Sequence, residues 1–233
     1  MDKVRINRYL AEKGFSTRRG ADVLIEAGKV KINGRKAVLG DKVGETDKVE
    51  VDQKAMAAKQ SAYVYYAYNK PVGIVTHSPQ RGEQDIAQVI KVEGVFPLGR
   101  LDKDSHGLIL LTNDGRVTER LLSPEAEHEK EYIVKVDKPL KQNTLTRLAK
   151  GVKIEGYITK PAIVEELGAR ALKLTITEGK RHQIRRMLTA LGYVVTDLKR
   201  ARIMNITLGD LKSGELRQLK GAELKDFLKE IGL

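Results

Sequence analysis

Leu108-Ile109-Leu110-Leu111-Thr112 is an unbroken apolar run set between two turn-forming stretches, Gly99-Arg100-Leu101-Asp102-Lys103-Asp104-Ser105-His106-Gly107 before it and Asn113-Asp114-Gly115 after it. A short apolar run bounded in this way reads as a strand, and it places Asp102 just ahead of that strand. An Asp between an arginine and a lysine is readily kept ionised. Glycines at 99 and 107 allow close approach of backbone or substrate. A lone Asp in a turn is an ordinary solvated charge; the 17-residue pattern as a whole sets this one apart.

The chain has 233 residues and a net charge of +12, with an isoelectric point near 9.7. That length fits one or two domains with a substantial core. A composition of 41% hydrophobic and 32% charged residues is globular. The excess of cations calls for an anionic partner, with nucleic acid the first expectation. A membrane surface would also attract it, but no apolar run approaches the roughly 20 residues that span a bilayer. The opening MDKVRINRYLAEKG is charged and amphipathic, unlike a secretory signal. With no cysteine there is no disulfide, thiol nucleophile or thiolate metal site, and a cytoplasmic location is expected. His77, His106, His128 and His182 do not have metal-ligand spacing. No phosphate loop or dinucleotide fingerprint occurs.

Two domains are expected, 1–60 and 61–233. In the first, Val4, Ile6 and Leu10, then Ala21, Leu24 and Ile25 beyond Gly14, predict two short amphipathic helices. Ser16-Thr17 caps the second, with Arg18 and Arg19 in its first turn, where cations oppose the helix dipole. A residue that breaks a local rule is a candidate for function. Lys29–Ile32 and Arg35–Val38 flank Asn33-Gly34, a hairpin signal, and Lys48–Val51 adds a strand. The small, polar, patternless residues 53–62 read as a linker.

The second domain is expected to be α+β, with a mixed, mostly antiparallel sheet and flanking helices, because strands and helices do not alternate regularly. Strands are predicted over Tyr63–Tyr68, Ile74–Thr76, Leu108–Thr112, Tyr132–Val136, Ala162–Glu166, Ala171–Thr177, Arg202–Thr207 and Arg217–Leu219. Helices are predicted over Asp85–Ile90, Gln142–Lys150, Gln183–Leu191 and Ala222–Ile231.

Two resemblances cover nearly the whole chain. Arg5-Ile-Asn-Arg-Tyr-Leu10, Ser16-Thr-Arg-Arg19 and Gly28-Lys-Val-Lys-Ile-Asn-Gly34 resemble an S4-type RNA-binding module. There Arg5, Arg18, Arg19 and Lys29 would track phosphates along one face, positioning the RNA without reading its sequence. The Asp102 stretch, Asn69-Lys-Pro-Val-Gly73, His128-Glu-Lys-Glu-Tyr132 and Gly179-Lys-Arg-His-Gln-Ile-Arg-Arg-Met187 resemble pseudouridine synthases of the RsuA type, which isomerise uridine in ribosomal RNA. The resemblance implies the pseudouridine synthase fold, no cofactor and no metal. It implies an active site of Asp102, Tyr132 and Arg185.

The family's reaction gives these residues tasks. The uridine must leave its stack, at a cost of a few kcal/mol. Cleavage of the C1′–N1 bond then builds positive charge on the ribose, which a carboxylate can meet as a nucleophile. Asp102 is the candidate; removal of the ribose C2′ proton is the other scheme, and both stay open here. The uracil rotates, rebonds through C5 and loses the C5 proton. Arg185 is expected to pair with Asp102 and hold it as an anion. Tyr132 would offer a ring face to the base, although a lone Tyr in a strand is more often core. Arg100, Lys103, Lys180, Arg181 and Arg186 suit flanking phosphates, and His106 is a candidate wedge for the gap left by the uridine.

The main rival is a non-catalytic S4-type RNA-binding or ribosome-assembly factor, to which a poised Asp102 would bring nothing. A tyrosyl-tRNA synthetase lacks its nucleotide-binding motifs here, and a nucleosidase would release free uracil. Within the family, Val95–Ser105, His128–Pro139 and Arg202-Ile-Met-Asn205 look most like the branch acting on 23S ribosomal RNA. Transfer RNA stays open as a second substrate, and a monomer is expected. Several relatives carry a long basic tail beyond the point where this chain stops, at Leu233, and a difference in target affinity or choice is expected from that.

Overall fold

A computed structural model describes residues 3–16, 18–52, 63–123 and 125–233. The expected cap residue Thr17, the linker 53–62 and the side chain of Arg19 lie outside the described residues. The chain divides into two compact units, Met1–Val64 with Thr112–Arg120, and Tyr65–Leu111 with Leu121–Leu233.

In chain order the first elements are β1 (Val4–Arg5), α1 (Ile6–Glu12), α2 (Arg18–Glu26), β2 (Val30–Ile32), β3 (Arg35–Lys36), β4 (Lys42–Val43) and β5 (Val49–Val51). Ile6, Leu10, Ala21 and Ile25 meet Val30, Ile32 and Val43 in a small core, as the amphipathic spacing predicts. The β2–β3 hairpin turns on Asn33 and Gly34, both at positive φ (51° and 82°), the primed-turn geometry that Asn-Gly favours. α2 begins at Arg18 with no acidic residue in its first turn.

The chain continues through β6 (Tyr65–Lys70), α3 (Ile86–Val89), β7 (Phe96–Leu98), β8 (His106–Thr112), α4 (Arg116–Leu122) and β9 (Lys130–Val136). Then come α5 (Gln142–Lys150), β10 (Lys153–Ile154), β11 (Tyr157–Ile158), β12 (Ile163–Gly168) and β13 (Ala171–Ile176). The last elements are α6 (Gln183–Ala190), β14 (Val195–Ile203), β15 (Ile206–Thr207), β16 (Leu216–Gln218) and α7 (Gly221–Glu230). Among the described residues nine strands form one mixed sheet, ordered β12-β13-β9-β14-β8-β6-β16, with β15 on β14 and β7 on β8. The pairs β12–β13, β13–β9, β14–β9 and β16–β6 are antiparallel, and β14–β8 is parallel.

Burial patterns explain the order. Every residue of β8 after His106 is buried, as suits an apolar strand covered on both faces. β9 alternates, with Tyr132, Val134 and Val136 buried. α6 buries Ile184, Met187 and Leu188 against the main core. Asp85 caps α3 in a reciprocal box with Gln88.

Two expectations are corrected. Ile74–Thr76 does not form a strand; Val75 makes a single bridge to Asp85, and Thr76 turns its hydroxyl to backbone groups. Arg202–Thr207 is not one strand but the tail of a nine-residue strand, β14, which folds back at Met204 (φ 50°) into β15. β14 escapes pattern reading because one of its buried positions is filled by Arg200, which is 4% exposed.

Where β14 runs parallel to β8, Arg200 faces Gly107, and on its other side it pairs with Tyr132. Gly107 has φ 102°, and a Cβ there would lie 2.4 Å from the Arg200 carbonyl oxygen. Gly107→Ala therefore combines an unfavourable backbone with a backbone clash. We expect a loss of about 3 kcal/mol or more in urea unfolding; an unchanged midpoint would contradict the close approach.

Candidate active site

Asp102 sits in a turn closed by the Ser105 amide, which donates to the Asp102 carbonyl at 3.0 Å. That loop is gripped from three sides. The Thr76 hydroxyl donates to the Leu101 carbonyl (2.8 Å) and accepts from the Leu101 amide (3.0 Å). The Gly73 amide donates to the Lys103 carbonyl at 2.9 Å. From α6, Arg185 Nη2 donates to the Asp104 carbonyl (2.8 Å) and lies 3.4 Å from Ser105 Oγ, while Nη1 donates to the Val195 carbonyl (3.2 Å). These bonds hold the backbone and leave the Asp102 side chain 31% exposed.

The expected Arg185–Asp102 ion pair is not formed. Among the described residues, the basic side chain within 4 Å of the Asp102 carboxylate is His182, its Nε2 3.4 Å from Oδ1. The reason is geometric: the guanidinium fork of Arg185 is taken up by oxygens of the 104–105 loop and of β14. Arg185 thus fixes the loop, not the carboxylate.

Three cations withdrawn from solvent were missed by sequence reasoning. Lys70 is fully buried, its Nζ donating to the carbonyls of Pro71 (2.8 Å) and Ile74 (2.7 Å). Burial, with help from Arg200, brings its pKa down to about 8, against the opposing pull of Asp102 and Asp104. Arg200 donates from Nε to the Leu108 carbonyl (2.6 Å) and from Nη1 to the Arg100 carbonyl (3.2 Å). Burial and Arg200 likewise bring Lys130 down to about 8; its Nζ donates to the His128 carbonyl (2.9 Å). Lys70 was visible within the Asn69–Gly73 turn, but nothing in the sequence marks it as buried.

Tyr132 belongs to the main core with Tyr68, Leu101, Ile109 and Ile184, and is 8% exposed. Most of its ring is therefore packing. His106 Nε2 is 2.8 Å from Asp197 Oδ1, whose other oxygen lies 3.8 Å from Lys135 Nζ.

The expected phosphate contacts fall into two sets. In the first unit a groove of about 380 Å³ is lined by Lys3, Val4, Arg5, Asn7, Arg8, Arg18 and Lys42, with no acidic residue. Lys29 is not part of it and pairs with Asp52 at 3.1 Å. In the second unit Arg100 and Arg181 are exposed, and Lys180 lies 5.1 Å from the Tyr157 ring centre. Lys103 pairs with Glu83 (2.8 Å) and Arg186 with Glu155 (2.7 Å). Exposed pairs of this kind are weak, so a phosphate can exchange for the carboxylate. Among the described residues no group of His, Cys, Asp and Glu could hold a metal, and no helix is long and apolar enough to cross a membrane.

An accessible carboxylate in a pinned loop and several exposed cations make up the candidate site, and comparison with known proteins says which family it belongs to. The family model for RNA pseudouridylate synthase matches residues 64–190, and the S4 domain model matches residues 4–49. The dual-specificity RNA pseudouridine synthase RluF of Salmonella typhi is 42% identical over 97% of this chain and 79% of its own length. Ribosomal large subunit pseudouridine synthase B of Bacillus subtilis is 34% identical over 95% of this chain and 94% of its own. A crystal structure of a pseudouridylate synthase superposes with a TM-score of 0.71 at 31% identity, covering 98% of this chain and 99% of that one. The chain belongs to the RNA pseudouridylate synthase family. It is an RNA-modifying isomerase with an S4 domain.

The buried lysine makes a pH signature. Because folded Lys70 holds its proton less tightly than an unfolded lysine, the unfolded chain binds more protons between about pH 8 and 10.5. Stability from this group therefore rises with pH across that window. Lys70→Met should remove that share, flattening the urea-stability curve between pH 8 and 10 by up to about 1.4 kcal/mol per pH unit. A wild-type-minus-variant difference that is constant with pH would refute it.

Proposed function

We propose that this protein converts uridine to pseudouridine in large-subunit ribosomal RNA, with Asp102 as the group that meets the ribose. The observation that carries the reading is the Asp102 loop itself. Its backbone is bonded to Thr76, Gly73 and Arg185, so the loop is preorganised while the carboxylate stays accessible. Preorganised charge aimed at a developing cation is an effective source of catalysis.

The extruded nucleotide places its sugar at Asp102. The C1′–N1 bond breaks with its electron pair going to N1, the uracil turns about the site, C5 bonds to C1′, the C5 proton leaves to solvent and N1 takes one up. Asp102 either bonds to C1′ and is then displaced, or takes and returns the C2′ proton; both leave an isomer with no net redox change. Arg185 acts by fixing the loop that carries Asp102. Tyr132 borders the base, and His106 lines the gap on the β8 side. Arg100, Lys103, Lys180, Arg181 and Arg186 hold flanking phosphates, Lys103 and Arg186 after leaving their carboxylates. In the S4 domain Arg5 and Arg18, joined by Lys3 and Lys42, track the backbone of a neighbouring RNA segment, and Arg19 and Lys29 are further candidates for phosphate contact. Residues 1–60 serve as the RNA-positioning domain and its linker, and 61–233 as the catalytic domain. The protein works as a monomer in the cytoplasm, where its RNA is.

Large-subunit RNA is favoured because a 34%-identical relative carries that substrate in its name, and the dual-specificity name of a 42%-identical relative favours a second RNA, with transfer RNA the first to test. Mapping pseudouridine in ribosomal and transfer RNA from cells with and without the protein tests this reading; no missing site in either class would refute it.

Asp102→Asn should fold and bind RNA as before, yet release no tritium from RNA containing [5-³H]uridine. Release at the wild-type rate would remove Asp102 from the chemistry. Charge reversal at Arg5, Arg18 and Lys42 should weaken RNA binding and make its salt dependence shallower, by about one unit of slope for each phosphate no longer neutralised. A salt slope unchanged in filter-binding titrations would place the RNA elsewhere.

A further inference from the structure

We propose that His182 is the positioning residue of the Asp102 side chain, the part expected of Arg185. This inference rests on the reading of Asp102 given above. Two independent observations carry it. The first is proximity: His182 Nε2 lies 3.4 Å from Asp102 Oδ1. The second is the backbone. His182 is the N-cap of α6 and adopts a left-handed conformation, φ 51° and ψ 29°. Outside glycine that conformation is unfavourable and persists where the surroundings over-determine it, commonly at functional sites.

The surroundings here are a buried clasp. Gln183 Nε2 donates to Glu178 Oε1 at 2.6 Å, and the Lys180 amide donates to Gln183 Oε1 at 2.9 Å. Glu178 Oε1 also accepts the Lys160 amide (3.0 Å), and its other oxygen accepts the Tyr157 hydroxyl. Glu178 and Gln183 are themselves buried, at 8% and 3% exposure. The Gln183 amide closes the turn onto the Lys180 carbonyl (3.1 Å), and the Arg186 amide starts the helix on the His182 carbonyl (2.9 Å). His182 is thus set on a rigid corner whose strain the clasp sustains.

From that corner the entry of α6 addresses the Asp102 loop twice. Arg185 bonds the backbone at Asp104, and His182 stands beside the carboxylate. An imidazole N–H on Oδ1 turns the carboxyl plane and leaves Oδ2 for the ribose. The 3.4 Å separation is longer than a good N–H···O bond, as catalytic contacts commonly are before substrate tightens them. The side chain of His182 is 46% exposed, so it borders the space a flipped nucleotide would enter.

The test separates positioning from structure. His182→Gly removes the imidazole but suits the left-handed backbone, so the thermal midpoint should hold or rise. At saturating RNA the single-turnover rate should fall by about ten- to hundredfold, with RNA affinity unchanged. Added imidazole should restore part of the rate, and His182→Asn, which tolerates the same backbone and keeps a donor, should lose less than glycine. Full rate in His182→Gly overturns the inference, as does weakened RNA affinity with an unchanged saturating rate. A lowered midpoint with no imidazole rescue also overturns it, by making the role structural. Asp102→Asn retaining activity would instead overturn the reading beneath it, so the two failures are distinguishable.

Discussion

The parallel contact between β8 and β14 is the constraint on which the site depends. At Gly107 the two backbones come so close that no Cβ fits, and Arg200 on the opposing strand is buried. Its guanidinium then bonds to the Leu108 carbonyl on β8 and the Arg100 carbonyl ahead of Asp102. The same residue pairs in register with Tyr132 on the other side. One buried arginine therefore couples the strand that carries the aromatic residue to the loop that carries the carboxylate. A buried charge is costly unless it is hydrogen-bonded; these two carbonyls take Nε and Nη1, while Nη2 is buried without a hydrogen-bond partner among the described residues.

The electrostatics follow from that arrangement. Lys70, Lys130 and Arg200 are held by backbone carbonyls rather than by buried carboxylates. Loss of solvent, with a smaller contribution from Arg200, is why both lysines release protons more readily than usual.

The elements whose pattern carries one physical cause were legible. The Asn33-Gly34 hairpin, the apolar run of β8, the alternation of β9 and the spacing of α6 are each set by local sterics or by one buried face. β14 was not, because its inward positions include an arginine, and amphipathic reading treats arginine as solvent-facing. Ile74–Thr76 has the residue types of a strand, yet the Thr76 hydroxyl is used to hold Leu101. The expected partner of Asp102 was displaced by three positions along α6, from Arg185 to His182. A difference of that size is decided by which side of a helix entry faces the loop.

From the sequence alone came the two-part organisation, the α+β class, the family and the motif segments that carry Asp102, Tyr132 and Arg185. These are properties of local pattern: turn chemistry, periodicity and the order of residue types along the chain. Only the folded chain decided which group meets the carboxylate, which lysines lose their solvent, and which arginine lies in the core. Those outcomes depend on distances between segments far apart in sequence, and on burial, which sets the cost of a charge by its surroundings rather than by its identity.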